Sequence, residues 1–194
     1  ESKFIMLFLL IFAFFISSLI NIKFSFIILI YFLLSLIYSI NLKKKIILDI
    51  IILSLFYTLR IFGGSQATDI FISPWLISFS IFFFFSLSAM KRQAELVQTI
   101  KHKKKEIKGR GYRTEDQNII TSIALSTGYL SIAILAFYIN SEEVLKLYSN
   151  TLFLWGVCFV LFYWITKIIF AANRGLIYID PVIYAVTDKI SYFC

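Results

Sequence analysis

Residues 46–62 read IILDIIILSLFYTLRIF, an apolar stretch long enough to cross a membrane but interrupted by Asp49 and Arg60. A charged residue at the centre of a membrane span costs about 2.5–3.5 kcal/mol on insertion scales. Such a residue usually lines a polar cavity or pairs with a partner inside the membrane. The helical repeat brings the two side chains to within about 20° of one face, about 16 Å apart. We therefore expect both charges to face the interior of one helical bundle.

The rest of the chain is equally apolar. Of its 194 residues, 60% are hydrophobic and only 15% are charged, which is far outside soluble usage and indicates an integral membrane protein. Backbone groups find no water in a bilayer core and the alternation typical of strands is absent, so the spans must be helices. The predicted fold is an all-α, polytopic transmembrane helical bundle with six spans: 4–20, 24–40, 46–62, 74–90, 118–139 and 151–172. The fifth span carries small residues, including Gly128, which we expect to allow close helix packing.

The basic residues predict an orientation. With alternating crossings, most of the 19 Lys and Arg residues fall on one side, which the positive-inside rule assigns to the cytosol. We therefore expect a multi-pass protein of the cytoplasmic (inner) membrane whose active face is toward the cytosol. That side carries the longest polar segment, the predicted cytoplasmic loop 91–117. Nothing predicts a nucleic-acid partner, and the sequence leaves open a homo-oligomer.

Two groups of polar residues at the predicted cytoplasmic ends of spans could hold a phosphate. Tyr38 and Lys43 lie at the predicted cytoplasmic end of the second span, where an interfacial tyrosine with topogenic lysines is the plainer alternative. Lys91, Arg92 and Glu95 follow the fourth span, where cations that offset the helix dipole are an equal alternative. If the helix continues, Glu95 lies one turn from both cations, an arrangement that suits a phosphate group and a divalent cation.

The remaining polar segments are less specific. Residues 101–105 are KHKKK, which indicates a mobile loop with a weak attraction for anionic lipid head groups. Tyr112 and Arg113, further along, are better candidates for anion contacts. Asp180 before Pro181 predicts a helix start. Asp188 has no such structural explanation and could face a polar cleft.

The sequence shows no Ser/His/Asp arrangement, no glycine-rich phosphate loop and no zinc-ligand spacing. Carboxylates and basic groups at the mouth of a bundle remain. They suit a phosphate or diphosphate substrate held with Mg²⁺, which prefers one or two carboxylates plus substrate oxygens.

Three stretches carry a resemblance to a known family. Residues 38–64, YSINLKKKIILDIIILSLFYTLRIFGG, resemble part of the UbiA-type intramembrane prenyltransferases. Residues 73–96, SPWLISFSIFFFFSLSAMKRQAEL, and residues 173–191, NRGLIYIDPVIYAVTDKIS, are similar to one branch, the decaprenyl-phosphate phosphoribosyltransferases. The resemblance covers the chain from about residue 24 to its end.

The resemblance implies a bundle of about nine helices, of which the six spans would be the third to the eighth, around a cytosol-facing cavity. It implies transfer of 5-phosphoribose from phosphoribosyl diphosphate to a polyprenyl phosphate lipid, with Mg²⁺. Residues carried over to hold the donor and its metal are Lys43, Lys91, Arg92, Glu95 and Tyr112. Asp49 and Arg60 would shape or polarise the cavity. The expected catalytic residues are Asp49 and Glu95, and Glu95 is also the expected metal ligand.

The chain also departs from that family. The first aspartate-rich motif, of the NDxxDxxxD type, has no match, and the chain runs from Glu1 to a final SYFC. We therefore expect a piece of a longer protein that is inactive alone. KRQAE stands where quinone-pathway members carry a second aspartate-rich motif, which favours the phosphoribosyl branch. The alternatives are an aromatic (4-hydroxybenzoate-type) polyprenyltransferase and a non-enzymatic transporter or membrane subunit.

Overall fold

The chain is a bundle of helices in the computed structural model, which describes residues 2–148, 150–177 and 180–193. The helices are α1 Ser2–Ile20, α2 Ile22–Ile40, α3 Leu48–Thr68, α4 Pro74–Lys101, α5 Gln117–Ile139, α6 Glu142–Leu147, α7 Leu152–Asn173, α8 Pro181–Thr187 and α9 Lys189–Phe193. Two single 3₁₀ turns, Leu42–Lys44 and Thr114–Asp116, precede α3 and α5. The predicted all-α, polytopic membrane bundle is confirmed.

Five helices, α2, α3, α4, α5 and α7, are long and apolar enough to cross a membrane. They correspond to the second to sixth predicted spans. The first predicted span, 4–20, lies in helix α1, which is not among these five. That this helix spans the membrane therefore stays a prediction.

Helix α4 is the centre of the bundle, since it packs against α3, α5 and α7, while α1 and α2 continue the row beyond α3. Close packing depends on Gly128 of α5. A Cβ atom at this glycine would lie 2.8 Å from Ser86 Oγ of α4 and 2.9 Å from Ile165 Cγ2 of α7. The expectation that small residues of the fifth span bring helices together is confirmed at this position.

Helix α4 is longer than its predicted span. It runs unbroken to Lys101, so the predicted loop boundary at residue 91 is wrong and the connecting segment to α5 is 102–116. Residues 91–101 contain no glycine or proline and are mostly good helix formers, and Leu96 and Val97 in this stretch are buried. The helix ends in a Schellman motif, with Lys103 at φ 55° and the Lys104 amide donating to the Thr99 carbonyl at 3.0 Å.

Helix α3 also exceeds its predicted span of 46–62, because it continues through Gly63 and Gly64 to Thr68. Gly63 is buried against α2, where a Cβ atom would lie 3.4 Å from the Phe24 ring. Glycine in a helix interior costs about 1 kcal/mol relative to alanine, and close packing of two helices offsets such a cost. One end of the bundle contains the C-terminal ends of α2, α4 and α7 and the N-terminal end of α3. We call it the lysine-rich end, because the lysine run 43–45 and the lysines that follow α4 lie there.

Candidate functional site

Asp49 lies in the first turn of α3 and is completely buried. A carboxylate at this position is favoured by the partial positive charge of the helix N-terminus. Tyr38, near the end of α2, donates a hydrogen bond from its hydroxyl to Asp49 Oδ1 at 2.6 Å. The short connection through Leu42–Lys44 thus folds the end of one helix against the start of the next.

Arg92 of α4 is the second fully buried charge. Its Nε atom lies 2.5 Å from Asp49 Oδ2, in ion-pair contact but without the alignment of a hydrogen bond. The guanidinium also pairs with Glu95, one turn further along α4. The predicted one-turn spacing therefore joins Arg92 to Glu95, because α4 continues past residue 91.

Arg110 completes the group from the segment between α4 and α5. Its Nη1 atom lies 2.8 Å from Asp49 Oδ1, and its Nε atom lies 3.3 Å from Glu95 Oε2. It also donates to the Tyr38 hydroxyl at 3.2 Å. Gly109 has φ +79°, and a Cβ atom on Gly111 would lie only 2.5 Å from the Lys44 carbonyl oxygen. Glycines on both sides therefore let this segment turn tightly and carry the arginine onto the buried carboxylate.

The sequence places Arg110 in the predicted cytoplasmic loop 91–117 but does not indicate it as a site residue. The signal in the sequence is an arginine between two glycines, Gly109 and Gly111, two residues before Tyr112. That signal is weak, since glycines near a lysine run are common in loops. Only the fold shows that this arginine reaches the first turn of α3.

We call Asp49, Arg92, Glu95 and Arg110 the charge cluster. Its two carboxylates and two guanidiniums balance in charge. Asp49 and Arg92 are fully buried, whereas the side chains of Glu95 and Arg110 are 27% and 21% exposed. The cluster is therefore open to solvent on the side where Glu95 and Arg110 meet. Arg92 Nη2 is buried and has no hydrogen-bond partner among the described residues.

Tyr112 fixes the same segment from a different direction. Its side chain is buried, and its hydroxyl accepts a hydrogen bond from the Ile47 amide at 3.0 Å. Burial raises the pKa of Tyr112 to about 12, against the lowering effect of that hydrogen bond. The hydroxyl thus anchors residues 102–116 to the start of α3. The sequence-based role of Tyr112 in anion contacts stays a prediction.

A groove of about 420 Å³ lies between α3, α4 and α5 and begins one turn inward from Asp49. It is almost entirely apolar. Its lining consists of Ile51, Ser54, Leu55, Thr58, Ile81, Phe82, Phe85 and Thr127. A second groove along α5, lined in part by Asn118 and Ser122, shares Phe85 and Thr127 with it. An apolar chain lying here would have one end close to the charge cluster.

Lys91 forms an ion pair outside the charge cluster. Its Nζ atom lies 2.7 Å from Asp180 Oδ2, so it pairs with the start of α8 and not with Glu95. Asp180 also accepts a hydrogen bond from the Val182 amide at 2.9 Å, which confirms the predicted helix start. Lys43 lies in the 3₁₀ turn before α3, half-buried, and its side chain makes no ion pair with the described residues.

Arg60 lies on the same side of α3 as Asp49, toward α2, but not in the bundle interior. Its guanidinium donates to the Tyr31 hydroxyl at 3.0 Å and lies 5.1 Å from the centre of the Tyr57 ring. The expectation that both charges face the interior holds for Asp49 only. The Arg60 side chain is exposed and contacts tyrosines of α2 and α3, whereas Asp49 is buried against Arg92 of α4 and Arg110.

Asp188 lies apart from the charge cluster. It forms an ion pair with Lys167 of α7 and accepts a hydrogen bond from the Ser191 amide at 2.8 Å. The Lys167 ammonium is the main cause that holds the pKa of Asp188 down at about 2. These contacts supply the structural explanation that the sequence lacked. They tie the connection between α8 and α9 to α7.

The fit of a Mg²⁺ ion depends on Glu95. Within the described part of the chain, no group of three or more potential metal-ligating side chains occurs. Both oxygens of Asp49 contact Tyr38, Arg92 or Arg110. Glu95 is bonded through Oε2 alone, so it can offer its second oxygen to a Mg²⁺ ion whose remaining ligands are substrate oxygens and water.

No protein-family model matches this chain. The nodulation protein NoeC of Azorhizobium caulinodans is 33% identical over 164 residues, which cover 84% of this chain and 53% of NoeC. The uncharacterized protein y4nM of Sinorhizobium fredii is 33% identical over 165 residues, 84% of this chain and 32% of that protein. The chain therefore spans about half of one curated relative and about a third of the other.

Proposed function

We propose that the chain is part of a membrane-embedded transferase of the UbiA type, which transfers 5-phosphoribose from phosphoribosyl diphosphate to a polyprenyl phosphate. The observation that carries this proposal is the charge cluster at the lysine-rich end, with the apolar groove directly below it. Two guanidiniums held in place suit an anionic phosphate ligand when a bound Mg²⁺ ion offsets the charge of the two carboxylates. The groove suits the hydrocarbon part of a lipid acceptor.

The proposed reaction needs charge stabilisation more than covalent help from the protein. An oxygen of the lipid phosphate forms a bond to the anomeric carbon of ribose while the bond from that carbon to the diphosphate oxygen breaks. The leaving diphosphate gains negative charge, which Arg92 and Arg110 would stabilise because they are already oriented. Glu95 would hold a Mg²⁺ ion, which neutralises phosphate charge when bound.

Asp49 has a supporting role in this proposal. Its carboxylate receives contacts from Tyr38, Arg92 and Arg110 and is fully buried, so it holds both arginines in position. Lys91 and Lys43 lie nearer the surface of the same end, where they would attract the donor electrostatically. A product of this kind is a lipid-linked sugar phosphate, which we propose serves cell-envelope or surface-polysaccharide synthesis.

The test is an activity assay on the complete gene product in detergent. It is incubated with labelled phosphoribosyl diphosphate, polyprenyl phosphate and Mg²⁺, and lipid-extractable label is measured. The proposal predicts a labelled lipid and release of diphosphate. Prenylated 4-hydroxybenzoate formed from a polyprenyl diphosphate, with no labelled phosphoribosyl lipid, would show an aromatic prenyltransferase instead.

Glu95→Gln provides the matched variant for this assay. It preserves the size of the side chain and removes the charge, so we expect loss of transfer activity by at least about 100-fold with little change in folding. Glu115→Gln is the control, because Glu115 is exposed and makes no ion pair within the described residues. Full activity of Glu95→Gln would remove Glu95 from the reaction.

A further inference from the structure

The lysine-rich end carries a second charged feature, which the charge cluster does not use. Residues 102–116 form a shallow basin of about 840 Å³ on the outer side of this end. Four cations and two carboxylates line it: Lys104, Lys105, Lys108, Arg113, Glu106 and Glu115. The lining thus has a net positive charge before the neighbouring lysines are considered.

The basin has a defined shape because its backbone is folded back on itself. Glu106 and Arg113 face each other as an antiparallel bridge. The Thr114 amide donates to the Lys105 carbonyl at 3.0 Å, and the Ile107 amide donates to the Tyr112 carbonyl at 3.2 Å. With Tyr112 buried against α3, the backbone that carries these cations is held against the bundle.

The cations of the basin are only partly offset by its two carboxylates and are not paired directly with them. Lys104, Lys105, Lys108 and Arg113 are all exposed, and none forms an ion pair with a described residue. More positive charge lies close by, since Gly111 packs directly on the backbone of Lys44 in the lysine run 43–45. The surface thus presents closely spaced cations that an anionic partner would stabilise.

The position of the basin along the membrane normal indicates which anion fits. The lysine run is followed at once by Ile46 and Ile47, which are 51% and 49% exposed. Exposed isoleucines directly inward of exposed lysines are typical of the boundary between hydrocarbon and head groups. A Cβ atom at Gly111 would lie 3.2 Å from Ile46 Cγ1, so residues 102–116 touch the chain at this boundary.

We propose that the basin binds the phosphate head groups of anionic membrane lipids. Lipid head groups lie at the boundary that Ile46 and Ile47 mark, so their phosphates are adjacent to the basin. Each basic residue near an anionic surface strengthens binding about fivefold. The proposal does not rest on the proposed transfer reaction, because the charge cluster and the basin use different residues.

The test uses native mass spectrometry of the complete gene product released from detergent with equimolar phosphatidylglycerol and phosphatidylcholine. The wild type is expected to retain phosphatidylglycerol preferentially. Lys104→Gln/Lys108→Gln should reduce this preference on the order of 20-fold at low salt, since two cations are lost. The control Lys23→Gln/Lys146→Gln removes two exposed lysines from the opposite end and should leave the preference unchanged.

Two further arms make the result decisive. Lys104→Arg/Lys108→Arg keeps both charges and should retain the preference, which separates loss of charge from a folding defect. Inorganic diphosphate is added to the wild type to test a soluble ligand. An unchanged preference in the Gln variant overturns the proposal, as does displacement of phosphatidylglycerol by micromolar diphosphate, which would show a site for soluble phosphates.

Discussion

Replacing Asp49 by Asn tests whether the charge cluster holds the lysine-rich end together. Asparagine keeps the shape of the side chain and still offers an oxygen to the Tyr38 hydroxyl, which lies 2.6 Å from Asp49 Oδ1. It removes the negative charge that contacts both Arg92 and Arg110. The cluster then contains two cations and one carboxylate, with Arg92 still fully buried.

The expected loss follows from that burial. Removing one partner of a buried ion pair typically costs about 3–5 kcal/mol, because the remaining charge is left uncompensated. Glu95 contacts both arginines and offsets part of this cost. We therefore expect Asp49→Asn to lower the free energy of unfolding by about 3 kcal/mol, the lower end of the range.

The measurement is reversible unfolding of the purified protein in mixed micelles, followed by circular dichroism as the denaturing detergent fraction rises. Asp69→Asn is the matched control, since Asp69 is exposed at the opposite end of α3 with φ 54°. Asparagine tolerates that left-handed conformation, so the control should change stability by less than about 0.5 kcal/mol. If Asp49→Asn costs less than about 1 kcal/mol, the cluster does not stabilise the fold and our reasoning about its burial is wrong.

Two further substitutions test the packing around the site. Tyr112→Phe leaves the Ile47 amide without its hydroxyl partner and should cost about 1–3 kcal/mol in the same unfolding experiment. The fold favours the neutral form of Tyr112, so its stabilising effect is fully present below pH 10 and is lost as the pH rises toward the folded-state pKa of about 12. The difference in free energy of unfolding between the wild type and the Phe variant should therefore narrow between pH 10 and pH 12. Gly128→Ala should lower stability by about 1–3 kcal/mol, because its Cβ would lie under 3.0 Å from both Ser86 and Ile165. An alanine variant as stable as wild type would show that α4, α5 and α7 can separate without cost, and Gly156→Ala, where a Cβ has open space, is the control.

The sequence predicted the fold class and most of the helices because the physical signal is strong. A helix that spans a membrane must be long and continuously apolar, and composition alone reveals such stretches. The helix ends were predicted less well. Helix α4 continues eleven residues past its predicted span of 74–90, and α3 continues through Gly63 and Gly64. Hydropathy shows which residues are apolar enough to lie in a membrane, but not where the helix itself ends. It therefore does not predict a polar extension of a helix or a helix that continues through packed glycines.

The candidate site was only partly predictable, for a different reason. Four residues of the site were predicted from the sequence: Asp49, Arg92, Glu95 and Tyr38. Asp49 is a charged residue within a span, where burial of its charge is costly, and the other three lie at the predicted ends of spans. Arg110 was missed, since its contact with Asp49 joins residues 61 positions apart through a turn whose glycines give no specific signal. Lys91 and Asp188 were also predicted as site residues. Lys91 pairs with Asp180 and Asp188 pairs with Lys167, and only the tertiary structure identifies these partners.

The balance of charge within the cluster explains why its two carboxylates cannot have the same role. A phosphate that contacted both guanidiniums would add negative charge to a neutral group and would be repelled by Glu95 and Asp49. Asp49 is fully buried and contacts three donors, so its movement would leave the buried Arg92 without this partner. Glu95 is partly exposed and uses one oxygen, so it can turn outward and bring a cation with it. We propose that the arrangement couples anion binding to a divalent cation through Glu95, while Asp49 keeps the arginines in place.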